Sequence, residues 1–479
     1  MLIFSILIIF VHMIGSILDT ESFAIKNPSS MVLSNKTMDS INPQFSVSDD
    51  RIYASWISNI NSQNSEVMFK KIDNDVKPFT NTKDISKTPG ISNIIKLRNS
   101  KNNVYITWED KQANQWKLLF RKSQDYGEKF GNVTNLSMTT GNVHIHDLSA
   151  EGKDVFVVWA ANENITSKNK EVFYRKSLNY GDSFSDTVNL SNSNDDSLDP
   201  HMIINHDGSM IYVVWTECDI RHDDPICRIV FTRSLDQGNT FTVPKKVSDT
   251  MPSPKQTTSY TILNSESKSS ASHPHIFNNA TVQKENYSIN PSIFATFDGK
   301  KVYVLWEEDL FGTGRSEIFL TVSNDYGKSF NSTINVSNTS GISRLAQGEL
   351  VGEDLYVVWS DTLEDNNKFD VMLRKIDARN VLGKVINLSN NAANSISPFL
   401  LVRNKTIIVA WTDEANNSSI ILWNGDTSDS SGIKMKLNSS YAEFSTSPLI
   451  FDTKAKVWIA WTEYYNYKHR IVLKAYTFQ

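Results

Sequence analysis

One phrase recurs along the chain, a β-rich run that closes on tryptophan. It reads 52-IYASW-56, 104-VYITW-108, 155-VFVVW-159, 211-IYVVW-215, 302-VYVLW-306, 355-LYVVW-359, 407-IIVAW-411 and 457-VWIAW-461. The intervals between these tryptophans are 52, 51, 56, 91, 53, 52 and 50 residues. Self-similarity at a period near 50, built from short strands, selects a β-propeller or a related β-repeat array. Each unit has room for four strands. The fifth shows them as 291-PSIFATF-297, the hairpin signal Asp298-Gly299, 302-VYVLW-306, 317-EIFLTVS-323 and 333-TINVS-337. Four antiparallel strands make one propeller blade. The run 211-IYVVW-215 has no polar position. A sheet wet on one face would alternate, so both faces are expected to be buried, with the tryptophans packing between blades.

The 91-residue interval holds no further unit, because 199-DPHMIINHDGSMIYVVW-215 and 290-NPSIFATFDGKKVYVLW-306 begin their units alike. The surplus, residues 249–287, is Ser-, Thr- and Asn-rich and reads as a long polar insertion loop. The last unit stops after 470-RIVLKAYTF-478 and lacks a fourth strand, while 31-MVLSNKTMDSINPQF-45 resembles 385-VINLSNNAANSISPFL-400. Residues Met31–Ser34 are therefore expected to complete the C-terminal blade and leave no open edge. The expected fold is all-β, a single propeller over residues 25–479 with eight blades, seven being the alternative.

A second pattern, S-x-D-x-G-x-x-F, falls between the third and fourth strands. It occurs at Ser123/Asp125/Gly127/Phe130, Ser177/Asn179/Gly181/Phe184, Ser234/Asp236/Gly238/Phe241 and Ser323/Asp325/Gly327/Phe330. A catalytic carboxylate occurs once or as a pair. Repeated copies, one with Asn in the centre, fit a turn whose side chain accepts backbone N–H groups and whose glycine takes positive φ. At these residues the sequence resembles the Asp-box (BNR) repeats of the sialidase superfamily. The resemblance implies a propeller of four-stranded blades with its Asp boxes at the periphery, away from the active face. Sialidases hold a substrate carboxylate with three arginines and use a Tyr/Glu nucleophile pair with an Asp acid/base. They commonly carry an F/Y-R-I-P motif, which 50-DRIY-53 does not match.

Just past the tryptophans stand Asp110, Glu217, Glu308, Asp361, Asp413 and Glu463, mostly as W-x-[DE]. One reading makes them an acidic rim that holds a cation or a ligand around the channel mouth. The other makes them ordinary acidic strand ends that face water or cap local turns. Arg221, Arg315 and Arg344 lie in the same region and can clamp a carboxylate. Glu217 and Glu308 are the candidate catalytic pair if a glycosidic bond is cleaved. Tyr464 and Tyr465 are candidates for stacking on sugars.

Residues 2–18 form the only membrane-like run, followed by the small-x-small pattern Ser22-Phe23-Ala24. A secretory signal peptide over residues 1–24 is expected, with an uncleaved anchor as the alternative. Either places the body outside the cytoplasm, secreted or at the cell surface. There Cys218 and Cys227 are expected to form a disulfide, a metal site with His222 being the other reading. Several N-x-[ST] signals fit a glycoprotein; Asn135, Asn189, Asn335 and Asn387 belong to the repeat, whereas Asn35, Asn164, Asn279, Asn286, Asn404 and Asn438 do not. A net charge of −5 from 48 basic and 53 acidic residues shows no footprint of a nucleic-acid partner. Three functions follow: a propeller binding a glycan or extracellular protein without catalysis, an exo-α-sialidase-type hydrolase, or a surface protein that binds calcium.

Overall fold

A computed structural model describes residues 30–476, apart from residues 36, 49–50, 74–80, 139–140, 165, 221–225, 249–286, 310–313, 364–367, 404, 415–417, 428–430 and 439–441. The N-terminal segment 1–24 and nearly all of the 249–287 insertion lie outside the described residues. No helix among the described residues is long and apolar enough to cross a membrane.

The described chain is all-β, consistent with a propeller. Its strands form six sheets of four and one of eight. The larger sheet consists of two four-stranded antiparallel units joined by a single parallel pairing, Ser65 with Ile91. Within a unit the chain runs back and forth. In the fourth, Asp196–Ile204 pairs with Ile211–Asp219, which pairs with Ile226–Ser234, which pairs with the short Lys245–Lys246. The last sheet takes its outer strand from the other end of the chain. Ser30, Met31 and Val32 pair with Lys474, Leu473 and Val472. Leu33 then donates its N–H to the Ile471 carbonyl at 2.8 Å.

Both alternations of the second strand are buried because each faces a different neighbour. Ile211, Val213 and Trp215 pack on Phe156, Val158 and Val172 of the preceding unit. Tyr212 and Val214 pack on Val302, Val304 and Trp306 of the following one. The hydrophobic core is thus divided into layers between units. One layer joins the two ends of the chain, with Ile52, Ala54 and Trp56 against Trp458, Ala460 and Ile471. All eight recurrent tryptophans are at most 1% exposed.

Every first strand carries an irregularity in its pairing, and a residue with positive φ sits at each. These residues are Asn42, Ile94, Ile145, Asp199, Asn290, Leu345, Ser397 and Ser447. Proline follows five of them, at Pro43, Pro200, Pro291, Pro398 and Pro448. A bulge turns the innermost strand locally and re-aims its side chains.

The S-x-D-x-G-x-x-F segments are turns. In the third, Ser234 Oγ donates to Asp236 Oδ1 at 2.7 Å and accepts from Gly238 N at 2.8 Å, while Thr240 N donates to Asp236 Oδ1 at 2.9 Å. Asp125 and Asp325 accept Ser123 Oγ and Ser323 Oγ in the same way, at 2.7 and 2.8 Å. Asn179 makes the same set with Ser177 and Ser183 at 2.8 and 3.0 Å. The central side chain needs only an accepting oxygen, so Asp and Asn are interchangeable. The aromatic residue reaches across to the previous unit, as Phe241 does edge-on to Tyr174 at 4.9 Å and Phe330 to Phe231 at 4.9 Å.

The glycines of these turns correct the sequence reading, which gave them a conformational role alone. Gly127, Gly181, Gly238 and Gly327 do take positive φ, at 79°, 76°, 70° and 76°. They are also buried against an aromatic ring of the preceding unit. A Cβ at Gly127, Gly181 or Gly327 would lie 2.7, 2.7 or 2.6 Å from the Cζ of Phe69, Phe120 or Phe231. At Gly238 the ring is that of Tyr174. Glycine is therefore required twice over, for the turn and for close packing between units.

Candidate functional site

The W-x-[DE] pattern acquires a structural meaning from strand geometry. Side chains two apart share a face, so the carboxylate lies beside the tryptophan ring. The indole Nε1–H donates to it in five units: Trp108 to Asp110 at 3.4 Å, Trp215 to Glu217 at 3.4 Å, Trp306 to Glu308 at 2.9 Å, Trp359 to Asp361 at 2.9 Å and Trp461 to Glu463 at 3.1 Å. Ser58 is the acceptor for Trp56 at 3.0 Å. A serine of the first strand pairs directly opposite. Ser92, Ser288 and Ser343 donate to Asp110, Glu308 and Asp361 at 3.1, 3.1 and 2.8 Å. The third unit has Val143 and Ala161 in these places, and the Trp159 indole has no acceptor. The serine stands in the sequence 16 or 18 residues before seven of the eight tryptophans, the third unit having Val143 there; its role is not visible without the pairing.

This geometry departs from both readings of the six carboxylates, as an acidic rim open to a ligand and as acidic strand ends facing water, for five of the six. Asp110, Asp361 and Glu463 are 0% exposed, Glu308 2% and Asp413 7%. Asp361 also accepts Thr339 Oγ1 at 3.0 Å and Leu363 N at 2.6 Å. Asp413 accepts Asn391 Nδ2 at 2.7 Å. Glu463 holds Arg470 through Nη2 at 2.8 Å. Buried polar groups are bonded as a rule, and these carboxylates accept such bonds, Asp110 Oδ1 alone of their buried oxygens having no partner among the described residues. Glu308 and Glu217, the candidate catalytic pair, lie in different units with different surroundings.

Glu217 alone of the six is partly exposed. It borders an open cleft of about 360 Å³ whose walls include Asn192, Ser193, Asn194, Val243 and Lys246. Burial pushes its carboxyl up, the Trp215 indole and Lys246 pull it down, and Asp195 and Glu171 push it up further. Ser197, which pairs across from Glu217, is 0% exposed and its hydroxyl has no hydrogen-bond partner. Immediately beyond, Cys218 and Cys227 pair across adjacent strands and are joined as a disulfide. The bond closes the short loop next to Glu217. The turn glycines Gly127, Gly181, Gly238 and Gly327 do not border this cleft.

Of the other candidates, Arg221 lies outside the described residues. Arg315 and Arg344 are exposed. Arg344 lies near the buried Glu307, which accepts Leu345 N at 2.7 Å. Tyr464 is stacked on Phe444 at 4.6 Å, and the Arg470 guanidinium sits over Tyr465 at 4.3 Å. Both rings are therefore already engaged on one side. Among the described residues no group of three or more His, Cys, Asp or Glu side chains is arranged to hold a metal ion.

A charged cluster on the first strands had no signal in the sequence, because its members are about fifty residues apart. Asp147 lies 3.7 Å from both Lys96 and Arg98 and accepts Met202 N at 3.2 Å. Burial raises its carboxyl, but these cations outweigh burial and hold it at about 2.

These four-stranded sheets and the cores between them are consistent with a protein of propeller type. No protein-family model matches the chain, and no curated protein matches it in sequence. Among solved structures it is similar to the NanB sialidase of Streptococcus pneumoniae, with 8% identity over 95% of this chain and 98% of that one and a TM-score of 0.39. It is also similar to an α-L-arabinofuranosidase of Fusarium graminearum, with 10% identity over 70% and 93% and a TM-score of 0.41. A third is a protein of unknown function from Dyadobacter fermentans, with 10% identity over 95% and 99% and a TM-score of 0.44.

Proposed function

We propose that this chain is a secreted or cell-surface, sialidase-like propeller of eight blades that binds a glycan or protein ligand without cleaving it. The four S-x-D-x-G-x-x-F turns act as its Asp boxes, and strand Ser30–Val32 fastens the ring. The observation that carries the binding reading is the cleft at Glu217. There Glu217 accepts the Trp215 indole but not the Ser197 hydroxyl, and it alone of the six carboxylates is partly exposed. A carboxyl group, an ammonium, two asparagine amides and a serine hydroxyl match the alternating donors and acceptors of a hydroxyl-rich glycan. The non-catalytic reading is supported by the state of the candidate pair: Glu308 is buried and committed to Trp306 and Ser288, in a different unit from Glu217.

The full chain and its Glu217→Gln variant are to be applied to an array of sialylated and neutral oligosaccharides. Binding that the substitution weakens about tenfold, with an unchanged melting temperature, supports the reading. Release of fluorophore from a sialoside probe by the full chain, lost in Glu217→Gln, overturns it in favour of a hydrolase.

A further inference from the structure

An asparagine in N-x-[ST] can carry a glycan in a folded protein only where its amide nitrogen faces solvent. Two contrasting geometries occur among the signals of this chain. In the N-[LV]-S copies at Asn189 and Asn387 the asparagine amide is held by a buried carboxylate. Asn387 Nδ2 donates to Asp370 Oδ2 at 3.1 Å, its Oδ1 accepts Asn390 N at 2.9 Å, and Ser389 donates to Asp370 at 2.7 Å. Asp370 and Ser389 are 4% and 2% exposed, so a sugar on that nitrogen would have to displace them. Asn189 stands in the same relation to Glu171, which is 6% exposed. Asn438 lies outside the N-[LV]-S phrase yet is held as firmly. Its Oδ1 accepts Ile420 N at 2.6 Å and its Nδ2 donates to the Ser418 carbonyl at 3.1 Å.

Asn35 and Asn164 are exposed and arranged differently. Asn35 Oδ1 accepts Thr37 N and Oγ1 at 3.1 and 3.0 Å, and Asn164 Oδ1 accepts Thr166 N and Oγ1 at 2.9 and 2.6 Å. The threonine of the signal thus occupies the carbonyl oxygen. No hydrogen bond from either amide nitrogen is found among the described residues. Asn132 is exposed together with Val133 and Thr134.

We propose that Asn35, Asn132 and Asn164 are N-glycosylation sites and that the folded domain carries no glycan at Asn189, Asn387 or Asn438. Occurrence in the cell rests on the secretion reading; the division between the two classes rests on the amide geometry alone. The donor is a lipid-diphosphate-linked oligosaccharide. The asparagine nitrogen forms a bond to the anomeric carbon, the bond from that carbon to the diphosphate oxygen breaks, and the amide gives up one proton as the lipid diphosphate leaves.

The full chain is to be expressed in an N-glycosylating eukaryotic host in two forms, one with its own N-terminus and one with the host's export leader placed ahead. Folded secreted monomer is treated with a peptide glycosidase in heavy-oxygen water, and the labelled aspartates are mapped by mass spectrometry. Label at Asn35, Asn132 and Asn164, with one glycan mass lost in each of Asn35→Gln, Asn132→Gln and Asn164→Gln, is the expected result. Label at Asn189, Asn387 or Asn438 in folded monomer overturns the proposal, as do three bare asparagines at 35, 132 and 164. Export only behind the host leader counts against the secretion reading, while the label pattern still decides the glycan proposal.

Discussion

Asp361 is 0% exposed and accepts hydrogen bonds from the Trp359 indole, two hydroxyls and a backbone N–H. Truncation to alanine leaves these donors buried without an acceptor. Asp361→Ala is expected to cost about 3 kcal/mol in chemical denaturation. The converse substitution is available in the third unit, where the Trp159 indole has no acceptor. Ala161→Ser copies the Trp56–Ser58 pair and is expected to add about 0.5–1 kcal/mol. Glu349, on the first strand of the sixth unit, makes the opposite contribution with pH. Burial, and then Asp452, push its carboxyl up from 4.5 to about 7. A raised carboxyl keeps its proton in the fold at pH values where the unfolded chain has lost it. Its contribution is therefore complete below about pH 4.5 and is lost as pH rises through 7. Melting curves at pH 5 and pH 8 are expected to show Glu349→Gln more stable than the parent at pH 8, by about 1–3 kcal/mol, and no such gain at pH 5.

The turns between third and fourth strands separate what is interchangeable from what is not. Gly238 has φ +70°, and a Cβ there would lie 1.9 Å from Tyr174 Oη. Gly238→Ala is expected to cost about 2–4 kcal/mol, whereas Asp236→Asn, which reproduces the Asn179 turn, stays within about 1 kcal/mol. Equal losses from both substitutions in urea denaturation would contradict this division. The turns and the second strands were legible in the sequence because each is local and repeated. The ring packed against each turn glycine was not, since Phe69, Phe120, Tyr174 and Phe231 belong to the unit before. Nor was the direction in which a W-x-[DE] carboxylate points. It depends on the indole two residues away and on a serine across the strand pair, so an acidic strand end and a buried acceptor read alike. Glu217 and Glu308 read alike in the sequence; the structure separates them by the cleft beside one and the burial of the other. The Lys96–Arg98–Asp147 cluster had no local pattern at all.

At the scale of the whole molecule the core is a succession of layers, and every layer needs a neighbour on each side. The chain ends meet in one of these layers. Ser30–Val32 pairs with residues 472–474, and Leu33, 2% exposed, completes the layer that holds Trp56 and Trp458. Asp39 accepts His469 N at 2.8 Å close by. Such an arrangement makes the first and last units mutually dependent and covers an edge that would otherwise be open to association. One measurement addresses this closure directly. Residues 30–34 are to be deleted from the otherwise complete chain and its melting temperature compared with the parent's. Loss of the strand pairing and of the Leu33 burial is expected to remove about 3 kcal/mol, a fall of several degrees. An unchanged melting temperature would contradict the closure.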